Sequence, residues 1–271
     1  MHKIIINASD KIFWPSFKEL KDFRDLFYVL ALRDVKVRYA QTYLGFIWAF
    51  IQPLATLLIF TLIFGKAINV DTGGIPYPLF ALVGMSCWTY FSYVLSQSGG
   101  SIIGAQEMIK KIYFPRLIIP LSKALVGLID YGITLLMVLL LMLWYGYVPP
   151  SQFVFFPFCF LSLVIVSLGV GVWLSALSIR FRDFQHVVPF LVQFGLYATP
   201  VAYPARLVPE KYFWIYYSNP MAGVIELFRW CLLDGSSPTV YSYLSLGLAF
   251  IVFVAGIVYF KKVERVMADL V

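Results

Sequence analysis

Charged side chains are scarce in this chain. Asp, Glu, Lys and Arg make up 13% of its 271 residues, about half the roughly 25% of a soluble domain. With 61% hydrophobic residues and a mean hydropathy of +0.83, that scarcity marks an integral membrane protein with no room for a large soluble domain beside its spans. Histidine is almost missing, and His2 and His186 cannot form a metal site by themselves. Cys87, Cys159 and Cys231 are far apart and odd in number, so neither a disulfide framework nor a metal spacing is readable. There is no GxxxxGK[ST] phosphate loop, so ATP hydrolysis is not expected of this chain. Nor is there a His/Asp/Glu cluster suited to acid–base or metal chemistry, and an enzyme is not expected. No cleavable signal peptide is expected either, because the first apolar run covers only residues 4–6. The net charge of +7 does not call for a nucleic-acid partner, since the basic residues sit at the ends of apolar runs, where they set topology.

What the chain does have is a series of apolar runs. They predict an all-α membrane protein, a single domain over 1–271, with six transmembrane helices near 44–65, 77–98, 117–145, 153–178, 187–202 and 238–260. Before them, 16–32 reads as an amphipathic interface helix. Ser16 and Glu19 suit a capping box. Leu20, Phe23, Phe27 and Leu30 fall at helical spacing, with Lys18, Lys21, Asp22 and Asp25 on the other side. Residues 99–116 carry Lys110, Lys111 and Arg116 and read as a cytoplasmic loop with a short helix. Residues 203–236 are broken by Pro204, Pro209 and Pro220. Asn219 suits an N-cap, Pro220 the first helical position and Gly235 the stop. The resulting helix of about 14 residues is roughly 21 Å long, too short for a hydrocarbon core of about 30 Å, and is expected to be re-entrant. Glu226 and Arg229, three apart, can pair on one of its faces. With both termini in the cytoplasm, seventeen Lys and Arg fall inside and four outside, as the positive-inside rule requires.

Polar residues within the spans are the candidates for chemistry. Ser86, Thr89, Tyr90, Tyr93, Ser96, Gln97 and Gly100 form one helix stripe in the second span. Gln41, Gly45, Trp48, Gln52 and Thr56 make a thinner one in the first, and Gln185, Gln193, Tyr197 and Thr199 mark the fifth. Such side chains face protein or a water-filled path rather than lipid. Uncharged hydroxyls, amides and rings suit sugars sliding past; helix packing through polar and small residues is the other reading. Trp88, Tyr90, Phe91 and Tyr93 are the cluster expected to touch substrate. Asp130 lies mid-span, where a carboxylate costs about 2.5–3.5 kcal/mol on the insertion scale. A buried hydrogen-bonded role is the favoured reading, with a proton-coupled carrier as the functional rival. A direct pair with Lys123 is not expected, because the two are about 10 Å apart along the helix axis.

The order Arg-Asp-x-Lys-x-Arg-Tyr-x-x-Thr-x-Leu-Gly-x-x-Trp at 33–48, with Pro53 beyond it, resembles the start of the permeases of ABC-type polysaccharide and polyol-phosphate exporters, the Wzm-like O-antigen and teichoic-acid export subunits. The segment IKKIYFPRLIIP resembles that family's second cytoplasmic loop, and Tyr-x-x-Pro-Val-x-Tyr-Pro, Asn-Pro-Met, Glu226 and Arg229 within 193–229 resemble its last extracytoplasmic region. The resemblance implies a homodimeric permease of the bacterial inner membrane, with ATP and Mg²⁺ handled by two separate ATPase subunits. Its substrate would be a lipid-linked glycan passing between the two copies, O-antigen-like or alternatively teichoic-acid or capsular. Trp48, Gln52, Trp88, Tyr90, Phe91, Tyr93, Gln97 and Tyr197 would then lie on the glycan pathway, and Lys110, Lys111 and Arg116 would meet the lipid pyrophosphate at the gate. Arg33, Lys36, Arg38 and Glu107 would couple to the ATPase, and Asn219, Pro220, Glu226 and Arg229 would form the outer gate within 203–236. A small drug or lipid exporter and a membrane glycosyltransferase are the remaining rivals. For the latter, Asp71 and Asp183 are the only lone acids available.

Overall fold

The computed structural model describes residues 17–39, 45–181 and 183–265. Ser16, Gln41, Thr42 and Arg182 lie outside the described residues. The described residues are helical, in the order α1 (Phe17–Asp22), α2 (Arg24–Tyr39), α3 (Trp48–Phe60, continued by a wider turn to Ala67), α4 (Tyr77–Gly99), α5 (Ser101–Gly104), α6 (Gln106–Lys111), α7 (Ile118–Trp144), α8 (Phe156–Arg180), α9 (Phe184–Ala198), α10 (Phe213–Tyr216), α11 (Pro220–Leu233) and α12 (Val240–Glu264). Among them, five helices are long and apolar enough to cross a membrane: α3 with its extension, α4, α7, α8 with the short turn before it, and α12. The sixth expected span is a helix of 15 residues, α9, or roughly 22 Å. Residues 199–202, expected to continue it, form a turn and bend instead.

α4 is the axis of the bundle and packs against α3, α7, α8, α9 and α11. Its sequence explains the position: Leu79, Leu82, Val83, Cys87, Val94 and Leu95 point in several directions from one helix, and all are buried. A helix with apolar side chains on several faces, its polar stripe turned to a cleft between helices, belongs in the interior. The other four long helices bury one side and leave large apolar side chains such as Leu58, Leu140, Leu161 and Ile251 exposed, a surface matched to lipid.

α8 and α12 pack backbone to backbone. A Cβ on Gly169 would come within 2.8 Å of the Phe253 backbone, and one on Gly256 within 2.7 Å of the Gly169 carbonyl oxygen. Glycine at both positions lets the two backbones touch, the small-residue packing by which helices associate where no hydrophobic force drives them together.

A second, smaller core lies at one end of the bundle. Leu30 of α2, Ile102, Phe114, Ile118 and Ile119 meet Val172, Ala176, Phe260 and Val263, with Leu20, Phe23 and Phe27 packed against them. The apolar stripe of the amphipathic helix is thus buried as its spacing predicts. The expected single helix is split at Phe23 into α1 and α2, and α2 runs seven residues beyond the expected end at 32, to Tyr39.

α11 spans 14 residues from Pro220, capped by the Asn219 side chain accepting from the Met221 N–H at 3.0 Å. Its left-handed stop residue is Asp234 (φ 50°) rather than Gly235, whose N–H donates back to the Arg229 carbonyl at 3.2 Å.

Candidate functional site

A cleft of about 370 Å³ opens between α3, α4, α7 and α9. α3 contributes Gln52 and Thr56, α4 contributes Met85, Trp88, Thr89, Ser92, Tyr93 and Ser96, and α7 contributes Asp130 and Thr134. The α4 residues recur every three or four positions and so share one helix face. The hydroxyl protons of Thr89 and Ser92 are committed to the helix's own carbonyls: Thr89 to Ser86 at 3.1 Å, Ser92 to Thr89 at 3.1 Å. Thr56 likewise donates to Gln52 at 3.0 Å and Thr134 to Tyr131 at 2.9 Å. What these hydroxyls offer the cleft is lone pairs, a row of acceptors for an occupant that brings its own hydroxyl donors. Gly195 makes the α9 side possible, since a Cβ there would come within 2.6 Å of the Trp88 ring.

The floor of the cleft is an ion pair. Arg38 Nη2 lies 2.6 Å from Asp130 Oδ2, and the Tyr39 hydroxyl donates to Asp130 Oδ1. The same guanidinium sits over the Tyr93 ring, 4.3 Å from its centroid. One turn back on α2, Asp34 accepts from Lys123 Nζ at 2.5 Å and from Arg33 Nη2 at 2.8 Å. The signs are crossed: the acid of α2 meets the lysine of α7, and the arginine of α2 meets the acid of α7. A slip of α2 along α7 would bring like charges together, so the two pairs set its register. Burial raises the Asp34 carboxyl, but the hydrogen bonds from Lys123 and Arg33 outweigh it and hold the group below the usual aspartate value. Burial first, and then the bond to Asp130, push the Tyr39 phenol above its ordinary range.

Smaller pockets continue the cleft toward the α5–α6 end. One of about 260 Å³ is lined by Arg33, Gln97, Gly100, Gly104, Met108 and Lys123, and another of about 290 Å³ by Gly100, Gln185 and Pro189. Ser96 lines the cleft and both of these pockets. Lys110, Lys111 and Arg116 come together around a third, shallow pocket of about 240 Å³. Arg116 is also tied to the end of α12: its N–H donates to Glu264 Oε1 at 3.0 Å and its Nη1 to the Glu264 carbonyl at 2.8 Å. Glu107 pairs with Lys111 at 3.8 Å with both side chains exposed. Lys36 is exposed on α2.

The structure therefore gathers Gln52, Trp88, Tyr93, Arg38 and Asp130 in one cleft, with Gln97 at its narrow end. It does not gather the rest of the expected pathway. Tyr90 is turned inward, donating to the Ala124 carbonyl at 3.3 Å with its ring 5.7 Å from that of Tyr131. Phe91 is buried among core side chains, while Trp48 (53% exposed) and Tyr197 (65%) point away from the bundle. Glu226 and Arg229 do not pair with each other. Glu226 accepts from the Tyr217 hydroxyl at 2.8 Å and from Ser242 Oγ at 2.7 Å. Arg229 donates to the Val201 carbonyl at 2.7 Å and lies 3.5 Å from the centroid of the Phe80 ring. Sequence reading missed Ser92 and Thr134. Ser92 lies four residues after Trp88 and four before Ser96, a helical spacing that was there to be read.

Apolar helices enclosing a polar cleft, in a chain without a nucleotide-binding motif, define a multi-pass membrane permease. The sequence pattern of the ABC-2 type transporter family matches residues 25–233, and the chain belongs to that family. It is 30% identical over 247 residues, 91% of its length and 95% of the relative's, to the O-antigen export system permease protein RfbA of Klebsiella pneumoniae. A protein of the same description from Myxococcus xanthus is 30% identical over 194 residues, covering 72% of this chain and 74% of that one. The polysialic acid transport protein KpsM of Escherichia coli is 26% identical over 244 residues, covering 89% and 94%.

Proposed function

We propose that the chain is the membrane subunit of an ATP-driven exporter of a lipid-linked polysaccharide of the O-antigen or capsular kind. Two copies form the pore, and two separate ATPase subunits supply ATP hydrolysis. Similarity to O-antigen export and polysialic acid transport proteins over about nine-tenths of the chain supports the substrate class. The observation that carries the reading is the cleft: hydroxyl lone pairs, an amide and the rings of Trp88 and Tyr93 inside otherwise apolar helices. Sugar hydroxyls donate to such acceptors, and the C–H faces of the rings rest on aromatics.

Under this reading the glycan enters at the α5–α6 end, past Lys110, Lys111 and Arg116, and follows Gln97, Ser96, Ser92 and Thr89. α2 and α6 rest on the ATPase, both termini are cytoplasmic, and Asn219–Arg229 belong to the outer gate. Arg38 links the two halves of the machine, since it sits on the ATPase-facing helix and also floors the cleft.

The test is purification from the native source in mild detergent with mass spectrometry, together with deletion of the gene. An ATPase with a phosphate loop, recovered in equal copies, and loss of surface glycan with lipid-linked glycan retained inside are the expected results. A chain that purifies alone, from cells whose surface glycan is unchanged on deletion, would overturn the proposal.

A further inference from the structure

A second pocket lies at the other end of the bundle, among the segments that follow α3, precede α10 and follow α11. Its volume is about 250 Å³. Glu226 and Arg229 line its base, Phe213 and Tyr217 one side, and Ser236 and Ser237 its rim. The Arg206–Asp71 ion pair, 2.8 Å, ties two of the surrounding segments together.

Arg229 is the unusual member. It is 5% exposed, and among the described residues no carboxylate lies within ion-pair distance of it. Its Nη atoms donate to the carbonyls of Val201, Phe80 and Tyr203, but its Nε–H, also buried, has no acceptor. A buried donor left unpaired costs about 1–3 kcal/mol, so the protein does not fully satisfy the guanidinium that lines this pocket. Glu226 places a carboxylate in the same small space, and Asp234 adds a second beside the rim.

These groups select an occupant by exclusion. An anion would meet Arg229 and Arg206, the latter already paired with Asp71, but also the carboxylates of Glu226 and Asp234, two cations against two acids. A cation would meet those carboxylates but also a buried guanidinium. A neutral molecule with both hydroxyl donors and acceptors satisfies both, and the rings of Phe213 and Tyr217 call for an apolar face on the same molecule. We propose that this pocket binds one neutral pyranose unit, its hydroxyls meeting Arg229, Glu226 and the rim serines and its C–H face lying on the aromatic side. The volume is below the roughly 300 Å³ at which drug-sized sites begin, which admits one ring and not a chain. The inference rests on the exporter reading for the source of the sugar, a unit of the glycan arriving at the outer mouth. It does not rest on that reading for the binding chemistry.

The experiment is saturation-transfer NMR on the full chain in lipid nanodiscs free of glycoside detergent. The probes are the methyl glycosides of glucose, mannose and galactose, with sodium sulfate and choline chloride as competitors. The expected result is saturation of ring protons for at least one glycoside, undisturbed by either ion. Ser237→Phe, which fills the pocket from its exposed rim, weakens binding about tenfold or more, equivalent to about 1.4 kcal/mol. Glu226→Gln weakens it as well, and monodispersity of both variants on size-exclusion chromatography checks their folding. Silence across all three glycosides, equal signals in Ser237→Phe, or displacement by sulfate would overturn the inference. Glycoside binding by a chain that exports no glycan would sink the exporter reading and leave the site standing; export without binding would do the reverse.

Discussion

Arg38 and Asp130, 92 residues apart in sequence, meet at 2.6 Å on the floor of the polar cleft. One belongs to the amphipathic helix and the other to the middle of a membrane-spanning one. An acid that costs free energy to place in the bilayer is thereby turned into the docking point of the amphipathic helix. This argues against a free proton-carrying carboxylate, because the group is engaged by a permanent cation and a phenol hydroxyl.

The first prediction follows from that pair. Asp130→Asn leaves Arg38 without its counter-ion, and Arg38→Gln leaves the acid with the Tyr39 hydroxyl but no cation; each lowers the thermal stability of the detergent-solubilised protein. The loss is smaller than the roughly 3–5 kcal/mol of a fully buried broken pair, because Arg38 is 37% exposed. The double variant costs less than the two singles together, with a coupling of about 0.5–3 kcal/mol. Additive losses in the double-mutant cycle would mean that the two groups do not depend on each other.

The second concerns pH. The Asp34 carboxyl is held below its ordinary value despite burial, by Lys123 and Arg33. A lowered folded-state value means that the group stabilises the fold above its unfolded pKa, about 3.9, and loses that contribution as pH falls through the folded value. The difference in Tm between the native chain and Asp34→Asn is therefore constant from about pH 8 down to about pH 5 and closes below about pH 4. A difference that already shrinks near pH 6 would assign the effect to another group.

Much of this arrangement was legible in the sequence, and the reasons for the exceptions are physical. Periodicity along a single helix found the apolar stripe of Leu20, Phe23, Phe27 and Leu30, and local cap chemistry found the start of α11 at Asn219 and Pro220. Both signals lie within a few residues of where they act. The Asp34–Lys123 and Arg38–Asp130 pairs join residues about 90 apart, and nothing in either helix names the other as partner. Glu226 and Arg229 show the opposite error. Three-residue spacing allowed a pair, but the Tyr217 and Ser242 hydroxyls and the Val201 carbonyl supplied better partners from other segments. Of the expected stripe on α4, Thr89, Tyr93 and Ser96 line the cleft and Gln97 and Gly100 the pocket beyond it. Tyr90 and Phe91 fell on the packed side and Ser92 on the open one.

A third prediction tests the α8–α12 seam. Gly169→Leu and Gly256→Leu each push a side chain into the opposing backbone, where even a Cβ would sit within 2.8 Å. Overpacking of this kind costs typically 1–3 kcal/mol, and backbone cannot rotate away as a side chain would. Both variants are expected to lower the melting temperature and the yield of monodisperse protein. Gly132→Leu on α7, where a Cβ meets nothing within 4 Å, is the control and should change neither.

The last prediction separates the two faces of α4. Ser92→Trp projects a large ring into the 370 Å³ cleft without touching the packed side of the helix. It is expected to abolish surface glycan while the protein remains monodisperse and bound to its ATPase. Ser92→Ala removes only the hydroxyl and should leave export close to normal. Tyr90→Phe does the reverse, since its hydroxyl is spent on the Ala124 carbonyl. Losing that bond costs about 1 kcal/mol of stability and leaves export intact. Export assayed by surface glycan labelling, beside Tm for each variant, gives a two-by-two result. Full export by Ser92→Trp would place the glycan elsewhere, with the exposed aromatics Trp48 and Tyr197 as the next residues to block. Loss of export in Tyr90→Phe at unchanged stability would bring that ring back onto the path.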